Sequence, residues 1–341
     1  MATRPGATRL VAWCAYLAAA SRAIIVLLLE GFMLRSIAVL SLLAAFSLAQ
    51  ESAPAKPVAP GSAAYLAQQG EKLSRDGKQD DALALFGKAL DKSPGMYEAH
   101  LGMGEALDLK GDYEAAREHF TKAIDVAPDA SKEQALRALA VSYAFEANAY
   151  KAAEPEMQVF NKRLAKSDSE GAAEICNELA RIYLESGDPD HAFKWYRMGY
   201  QTMANKTDLP ADDKNLWLFR WESAQARVAA RNAKPDEAKQ HLTAAKAVLD
   251  KGNLPSQVHF YPYLAGYVAF YTGDFKTAVA ELQKADQRDP FNVVLLAQAY
   301  EKSGDATQAK VYYGKVLEMN MHSPTNAFAR PIAKKKLEGG A

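Results

Sequence analysis

The stretch that decides the fold is GDYEAAREHFTKAIDVAP, residues 111–128. Gly111 is suited to the left-handed conformation that ends a helix, and Asp112 can cap the start of the next one. The packing positions that follow, in order along the chain, are Ala116, Phe120, Ala123 and Pro128. This order predicts two helices joined by a tight turn, in which the alanines allow close packing and the ring fills the space toward the next pair.

The same frame recurs along the chain. Its clear copies have their turns at Gly77, Gly187, Gly273 and Gly304. Two degenerate copies, with turns at Asn148 and Ala233, fill the gaps between them. Seven residues before most turns lies another small residue, in the series Gly70, Gly104, Ala180, Ala226, Gly266 and Ala297. We expect these units to stack, because one helix pair cannot bury its own apolar face.

This combination of small, small, aromatic and proline positions resembles the tetratricopeptide repeat family, whose units are helix–turn–helix pairs of about 34 residues. Units 63–96 and 97–130 have that length, whereas later turns are spaced 37, 39, 46, 40 and 31 residues apart. The resemblance implies an all-α fold, a right-handed superhelical solenoid of about six to seven repeats over residues 63–322. A C-terminal capping helix and tail would follow at 323–341, and the first helix of each unit would face a concave groove.

The N-terminal residues are typical of a leader followed by a linker. Residues 33–49 place Arg35 before a short apolar run that ends in small residues, as in a secretory signal peptide cleaved near Ala49. Residues 50–62 are rich in proline and alanine, which predicts a linker. We therefore predict an exported protein, periplasmic or secreted.

Residues 1–32 fit that signal poorly, since Ser21 and Arg22 interrupt their apolar stretch. Our hypothesis is that Met33 is the true start and that the residues before it belong to an over-extended reading frame. The alternative is that the hydrophobic segments of residues 10–49 are retained and anchor the protein in the inner membrane.

The composition argues against several classes of function. Lysine plus arginine and aspartate plus glutamate both number 41, so nothing indicates nucleic-acid binding. The six histidines are never three or four residues apart, so no helix carries a histidine pair for a metal. After removal of the leader Cys176 is the remaining cysteine, and we expect it in the core. We predict no enzymatic activity, no cofactor, no metal site and no small-molecule substrate.

Two first helices carry the candidate peptide-binding residues. In the fifth unit Arg220, Arg227 and Arg231 share one helical face, since they are separated by about two and three turns. The sixth unit carries an aromatic stripe at helical spacing, formed by Phe260, Tyr263, Tyr267, Phe270 and Tyr271. A basic face beside rings suits a peptide with carboxylates. The alternative is that the rings pack between neighbouring helices and the arginines form a solvated face.

The first two units have the opposite charge on their inward side. The residues expected there include Glu71, Glu98, Leu101, Glu105 and Asp108. This surface does not support the carboxylate-clamp subtype of the family, which uses basic and asparagine side chains at such places. The sequence predicts an adaptor or assembly factor of the bacterial envelope that binds proteins or peptides through its groove. The alternatives are a self-associating scaffold subunit of an envelope complex and a membrane-anchored repeat protein.

Overall fold

The computed structural model describes residues 59–339, and within that range every regular element is helical. The leader at 1–49 and most of the linker at 50–62 lie outside the described residues, so the start at Met33, the cleavage and the membrane anchor stay predictions. Among the helices of residues 59–339, none is long and apolar enough to cross a membrane.

Consecutive helices pair into seven helix–turn–helix units, followed by a final helix. The first four units consist of α1 Ala63–Arg75, α2 Gln79–Lys92, α3 Tyr97–Lys110, α4 Tyr113–Val126, α5 Lys132–Phe145, α6 Ala149–Ala165, α7 Ser169–Glu185 and α8 Pro189–Ala204. The remaining helices are α9 Ala211–Arg231, α10 Pro235–Lys251, the single turn α11 Pro255–Val258, α12 Tyr261–Tyr271, α13 Phe275–Leu282, α14 Pro290–Lys302, α15 Ala306–Leu317 and α16 Pro324–Glu338. The predicted all-helical repeat stack with a C-terminal helix is confirmed.

The turns inside the units follow the predicted frame with one correction. Gly111 has a φ of 98°, and its N–H donates to the backbone oxygen of Asp108 at 3.0 Å. In the third unit the left-handed residue is Ala147, with a φ of 54°, and not Asn148. Asn148 instead caps α6, where its side chain accepts a hydrogen bond from the N–H of Lys151 at 3.2 Å. The prediction was therefore wrong by one residue, because asparagine is favoured at both kinds of position.

The small residues on the first helices make room for the large side chains of the second helices. A Cβ atom on Gly104 would lie 2.7 Å from the ring of Phe120, and one on Gly266 would lie 2.6 Å from Leu282. With the corrected frame, the small position of the third unit is Ala140, which is fully buried. The position that elsewhere holds a ring or leucine is there Glu156, whose side chain is also fully buried.

The last helix returns to the first half of the molecule. Besides α14 and α15, α16 packs against α5 of the third unit. Arg330 on α16 donates from Nε to the backbone oxygen of Leu109, at the end of α3, at 2.9 Å. The C-terminal segment thus caps the final unit and also closes over the inner side of the early units.

Candidate functional site

The first helices of the units line a row of cavities that the segment at 320–325 divides. One cavity, of about 490 Å³, lies against α1 and α3, and we call it the acidic cavity. Its charged lining consists of Glu71, Glu98 and Glu105 with Arg75 and His322. The other, of about 570 Å³, lies against α5, α7 and α9, and we call it the arginine cavity. Its lining includes Arg137, Arg181, Arg220 and Arg227 with Glu174, Glu178, Tyr196, Phe219 and Phe260.

The acidic cavity is partly neutralised by the C-terminal segment of the chain itself. His322 Nε2 lies 2.8 Å from Asp108 Oδ2, and Ser142 donates its hydroxyl to Asp108 Oδ1 at 2.9 Å. Burial lowers the pKa of His322, but its hydrogen bond and attraction to Asp108 outweigh burial and raise that pKa above its ordinary value. The sequence predicted that Asp108 would face a ligand. The structure instead places it in a buried hydrogen-bonded pair with His322, which holds the C-terminal segment.

Two guanidinium groups at the rim of the arginine cavity have acidic partners. Arg137 on α5 donates from Nη2 to Glu178, while its Nε is buried without an acceptor among the described residues. Arg220 on α9 has its Nη2 4.0 Å from Glu174 Oε1, and its guanidinium lies over the ring of Trp217 at 4.7 Å. These contacts leave both groups oriented toward the cavity.

The two deeper guanidinium groups are held by aromatic rings. Arg181 on α7 lies 5.5 Å from the ring centroid of Tyr263 and 5.1 Å from that of Phe291. Arg227 on α9 lies over the ring of Tyr196 at 5.1 Å and donates from Nε to the backbone oxygen of Ser223 at 3.3 Å. Ring faces attract such cations and fix their planes, so both groups are positioned before any ligand arrives.

The predicted residues divide between the cavity and the core. The structure brings Arg220, Arg227 and Phe260 together on the arginine cavity. Arg231 instead donates from Nη1 to Glu185 at 2.8 Å and contacts the hydroxyl oxygen of Tyr271 at 3.3 Å. This second group is a buried network between α7, α9 and α12, separate from the lining of the cavity.

The other members of the aromatic stripe pack between helices. Tyr263 and Tyr267 are 2% and 0% exposed, and both pack against Phe291 of α14. Phe270 is half-buried and packs edge to face on Phe275 at 5.8 Å. A peptide-binding role for the eight predicted residues stays a prediction, and three of them border the arginine cavity.

Sequence reasoning missed Arg137, Arg181 and Tyr196. One signal was available, because Arg181 and Arg227 both lie six residues before the turns of their units. The same register position holds Glu71 and Glu105 in the first two units. A comparison of this position from unit to unit predicts that the charge changes from negative to positive along the groove.

Histidine and cysteine side chains also occur outside the linings of the two cavities. Within residues 59–339 no three His, Cys, Asp or Glu side chains are grouped closely enough to hold a metal ion. The Nδ1 atoms of His100 and His119 lie 3.1 Å apart, a contact that their spacing in the sequence concealed. Cys176 is fully buried as predicted, and burial raises the pKa of its thiol to about 12, which keeps it protonated at neutral pH.

Comparison with known proteins agrees with this architecture. The fold defines a helical repeat protein, and residues 73–140 match a tetratricopeptide repeat family model. A second tetratricopeptide repeat model matches residues 173–197 and 293–320. These three segments are similar to tetratricopeptide repeats, a family of scaffold units that bind protein partners and are typically non-catalytic. No curated protein matches the chain.

Several solved structures are similar to the chain. One is pilF of Pseudomonas aeruginosa, 14% identical, which covers 74% of this chain and 96% of its own length with a TM-score of 0.41. Another is a tetratricopeptide repeat protein of Parabacteroides merdae, 12% identical, which covers 79% of this chain and 98% of its own length with a TM-score of 0.46.

Proposed function

We propose that the protein is an exported adaptor that binds a segment of another protein in its groove and acts as an assembly factor in the bacterial envelope. The observation that carries this proposal is the arginine cavity, where charged side chains from three first helices meet the ring of Phe260. Its volume of about 570 Å³ lies within the usual range of ligand sites, about 300–1,000 Å³. Rings supply contact area and arginines supply directional hydrogen bonds, which together suit a peptide.

Export is the second part of the proposal, and the pattern of residues 33–49 supports it. A lone buried cysteine is compatible with an oxidising compartment, because Cys176 has neither a partner cysteine among the described residues nor a reactive thiol. N-terminal sequencing of the protein recovered from a periplasmic extract tests this part. We expect a first residue near Gln50, and a mature chain that begins within residues 1–32 would contradict it.

The binding role is tested by a cross-linking pull-down from envelope extract with the full-length chain as bait. The site variant is Arg220→Glu, which reverses a partly exposed charge at the rim of the cavity. The matched control is Arg197→Glu on α8, an exposed arginine outside the cavity lining. We expect the wild type and the control to capture the same proteins and Arg220→Glu to lose them. Equal capture by all three baits would contradict the groove assignment.

Self-association is measured with the same samples by size-exclusion chromatography and light scattering. The adaptor proposal expects a mass that does not depend on concentration and that Arg220→Glu leaves unchanged. An oligomer that Arg220→Glu dissociates would instead favour the scaffold alternative, with a second copy of the chain in the groove.

A further inference from the structure

We propose that the deep end of the arginine cavity binds the phosphate group of a small organic ester or of a lipid headgroup. The deep end is formed by Arg181 on α7, Tyr196 on α8 and Arg227 on α9, all of which line the cavity. The inference goes beyond the proposed function, because this ligand is not a protein segment and its site lies deeper than the rim residue Arg220. The sequence predicted no small-molecule substrate, and this ligand is bound without any chemical step.

The charges on the cavity leave a surplus of two positive charges. Four guanidinium groups line it, together with the carboxylates of Glu174 and Glu178. Each of these acids pairs with one of the two rim arginines. Glu185, a buried acid on α7, is already paired with Arg231. Neither deep arginine therefore forms an ion pair within residues 59–339, and their two charges match a phosphate monoester, which carries about −1.5 to −2 at neutral pH.

Hydrogen-bond donors without acceptors border the same space. Nε and Nη2 of Arg181 are buried and have no acceptor in the described part of the chain. Tyr196 is 3% exposed, and its hydroxyl likewise has no partner there. At the rim, Nε of Arg137 and Nη1 of Arg220 are also buried without an acceptor among the described residues. Buried polar groups are almost always paired, so these five donors point to a ligand that supplies oxygen atoms.

The arrangement of these donors favours a tetrahedral acceptor over a flat one. The five donors belong to four different helices, α5, α7, α8 and α9, so they approach the cavity from several sides. A carboxylate offers two oxygens in one plane, whereas a phosphate monoester offers three strong acceptor oxygens that point in different directions. A phosphate can therefore satisfy donors that a flat group would leave unpaired, and each buried donor left unpaired costs binding free energy.

The rest of the cavity suits the organic part of such a ligand. Phe219 and Phe260 line it, and its volume of about 570 Å³ is typical of a small-molecule site. The first residues of α16, Ser323 to Thr325, form one edge of the cavity. The positive end of that helix therefore faces the same space and adds to the attraction for an anion.

The probe is phenyl phosphate, titrated into the full-length protein by calorimetry at low salt and pH 8, where the ester carries two charges because its second pKa is about 6. Methyl phenyl phosphate keeps the tetrahedral group and lacks one charge, and benzoate presents a flat carboxylate on the same ring. We expect each control to bind about tenfold more weakly than phenyl phosphate, and added salt to weaken the binding of phenyl phosphate. No binding of phenyl phosphate, or equal binding of phenyl phosphate and benzoate, would overturn the inference.

The protein variants locate the site. Arg181→Gln and Arg227→Gln should each weaken binding of phenyl phosphate by about tenfold, whereas Arg197→Gln, at an exposed arginine, should leave it unchanged. Tyr196→Phe retains the ring and removes the unpaired hydroxyl, so it should weaken binding without loss of folding. If either glutamine variant fails to fold, Arg181→Lys and Arg227→Lys replace them, and we expect the point charge to recover only part of the affinity. Binding of phenyl phosphate that none of these variants weakens would contradict the assignment.

Vesicles distinguish the two sources of the phosphate group. Phosphatidylcholine vesicles with and without phosphatidic acid are sedimented in the presence of the wild type and of Arg181→Gln. Sedimentation of the protein that requires both phosphatidic acid and Arg181 would support a lipid headgroup. Binding of phenyl phosphate without such sedimentation would support a small soluble ester.

This result can be separated from the fate of the proposed function. If the pull-down captures partners that Arg220→Glu loses but phenyl phosphate does not bind, the groove binds proteins and the phosphate assignment is wrong. If phenyl phosphate binds through Arg181 and Arg227 but the captured proteins do not depend on Arg220, the phosphate site is supported and the groove assignment for proteins is wrong.

Discussion

The two ends of the groove present opposite charges from the same position of the repeat. Six residues before the turn, the first two units carry Glu71 and Glu105, whereas the fourth and fifth carry Arg181 and Arg227. At the acidic end the C-terminal segment supplies His322 and the charges are partly paired within the chain. At the arginine end, no acidic side chain of the described residues forms an ion pair with Arg181 or Arg227. The position in the repeat determines that a side chain faces the groove. Whether its charge is paired within the protein depends on the rest of the chain.

The largest effect should come from the acidic end. Asp108 and His322 have side chains 0% and 4% exposed, so Asp108→Ala would leave the buried His322 ring and the Ser142 hydroxyl without their shared hydrogen-bond partner. Breaking such a buried pair costs about 3–5 kcal/mol. We expect that loss in the free energy of unfolding measured with urea at pH 6. Asp80→Ala, at an exposed acid, should change it by less than about 0.5 kcal/mol. A loss of less than about 1 kcal/mol in the free energy of unfolding for Asp108→Ala would contradict a structural role for the pair.

The second prediction compares two arginines one turn apart on α9. Arg231 is paired with Glu185, whose side chain is 4% exposed, so Arg231→Met should cost about 2–4 kcal/mol of unfolding free energy. Arg227 has no acidic partner among the described residues, so Arg227→Met should lie within about 1 kcal/mol of wild type. Urea unfolding of both variants under the same conditions gives the difference. Equal costs would mean that Arg227 is structural, which would weaken the case for the arginine cavity as a site.

The third prediction concerns Glu156, which lies where other units place a ring or leucine. Its buried carboxyl has no hydrogen-bond partner within residues 59–339, and burial together with the nearby charge of Glu178 raises its pKa well above the ordinary value. The folded state thus holds this proton to higher pH than the unfolded chain does, and stability falls as pH rises above the unfolded pKa. Glu156→Gln should therefore stabilise the protein by about 1–2 kcal/mol at pH 8 and much less at pH 4.

The control for that experiment is Glu154→Gln, at an exposed acid on the same helix that pairs with Lys151 at 3.2 Å. Urea unfolding at the two pH values should find its stability unchanged within about 0.5 kcal/mol. If Glu156→Gln raises the free energy of unfolding equally at pH 4 and pH 8, packing around Glu156, and not its ionisation, destabilises the wild type.

The smallest expected effect is the pH dependence of the C-terminal contact. The Asp108 carboxylate raises the pKa of His322 against the effect of burial, and burial raises the pKa of both Asp108 and Glu105. All three groups bind protons more tightly in the folded state, so stability should decline with rising pH. We expect wild type to lose about 1 kcal/mol between pH 6 and pH 9 in urea unfolding. The neutral pair Asp108→Asn with His322→Gln should have a flatter profile, and an identical slope would assign the titration to other groups.

Much of the candidate site could be predicted from the sequence. Arg220 and Arg227 were predicted from their spacing on one helical face, and the structure places both on the arginine cavity. Arg231 has the same spacing but turns to Glu185, because that acid lies on α7, 46 residues away, and offers a buried partner. Helical spacing identifies a face, but it does not tell which neighbouring helix covers part of that face.

The sequence by itself determined the helices, the turns and the sites of close packing. These depend on interactions within one unit and its neighbour, so a glycine such as Gly104 and the ring of Phe120 that fills its space recur at a fixed local spacing. Only the tertiary structure determined which part of the groove the C-terminal segment occupies. The contact between His322 and Asp108 joins residues 214 apart, and no local period encodes a contact at that separation. The stack of units brings the C-terminal segment back against α3 and α5. At the other end, Nε and Nη2 of Arg181 have no acceptor in the described chain.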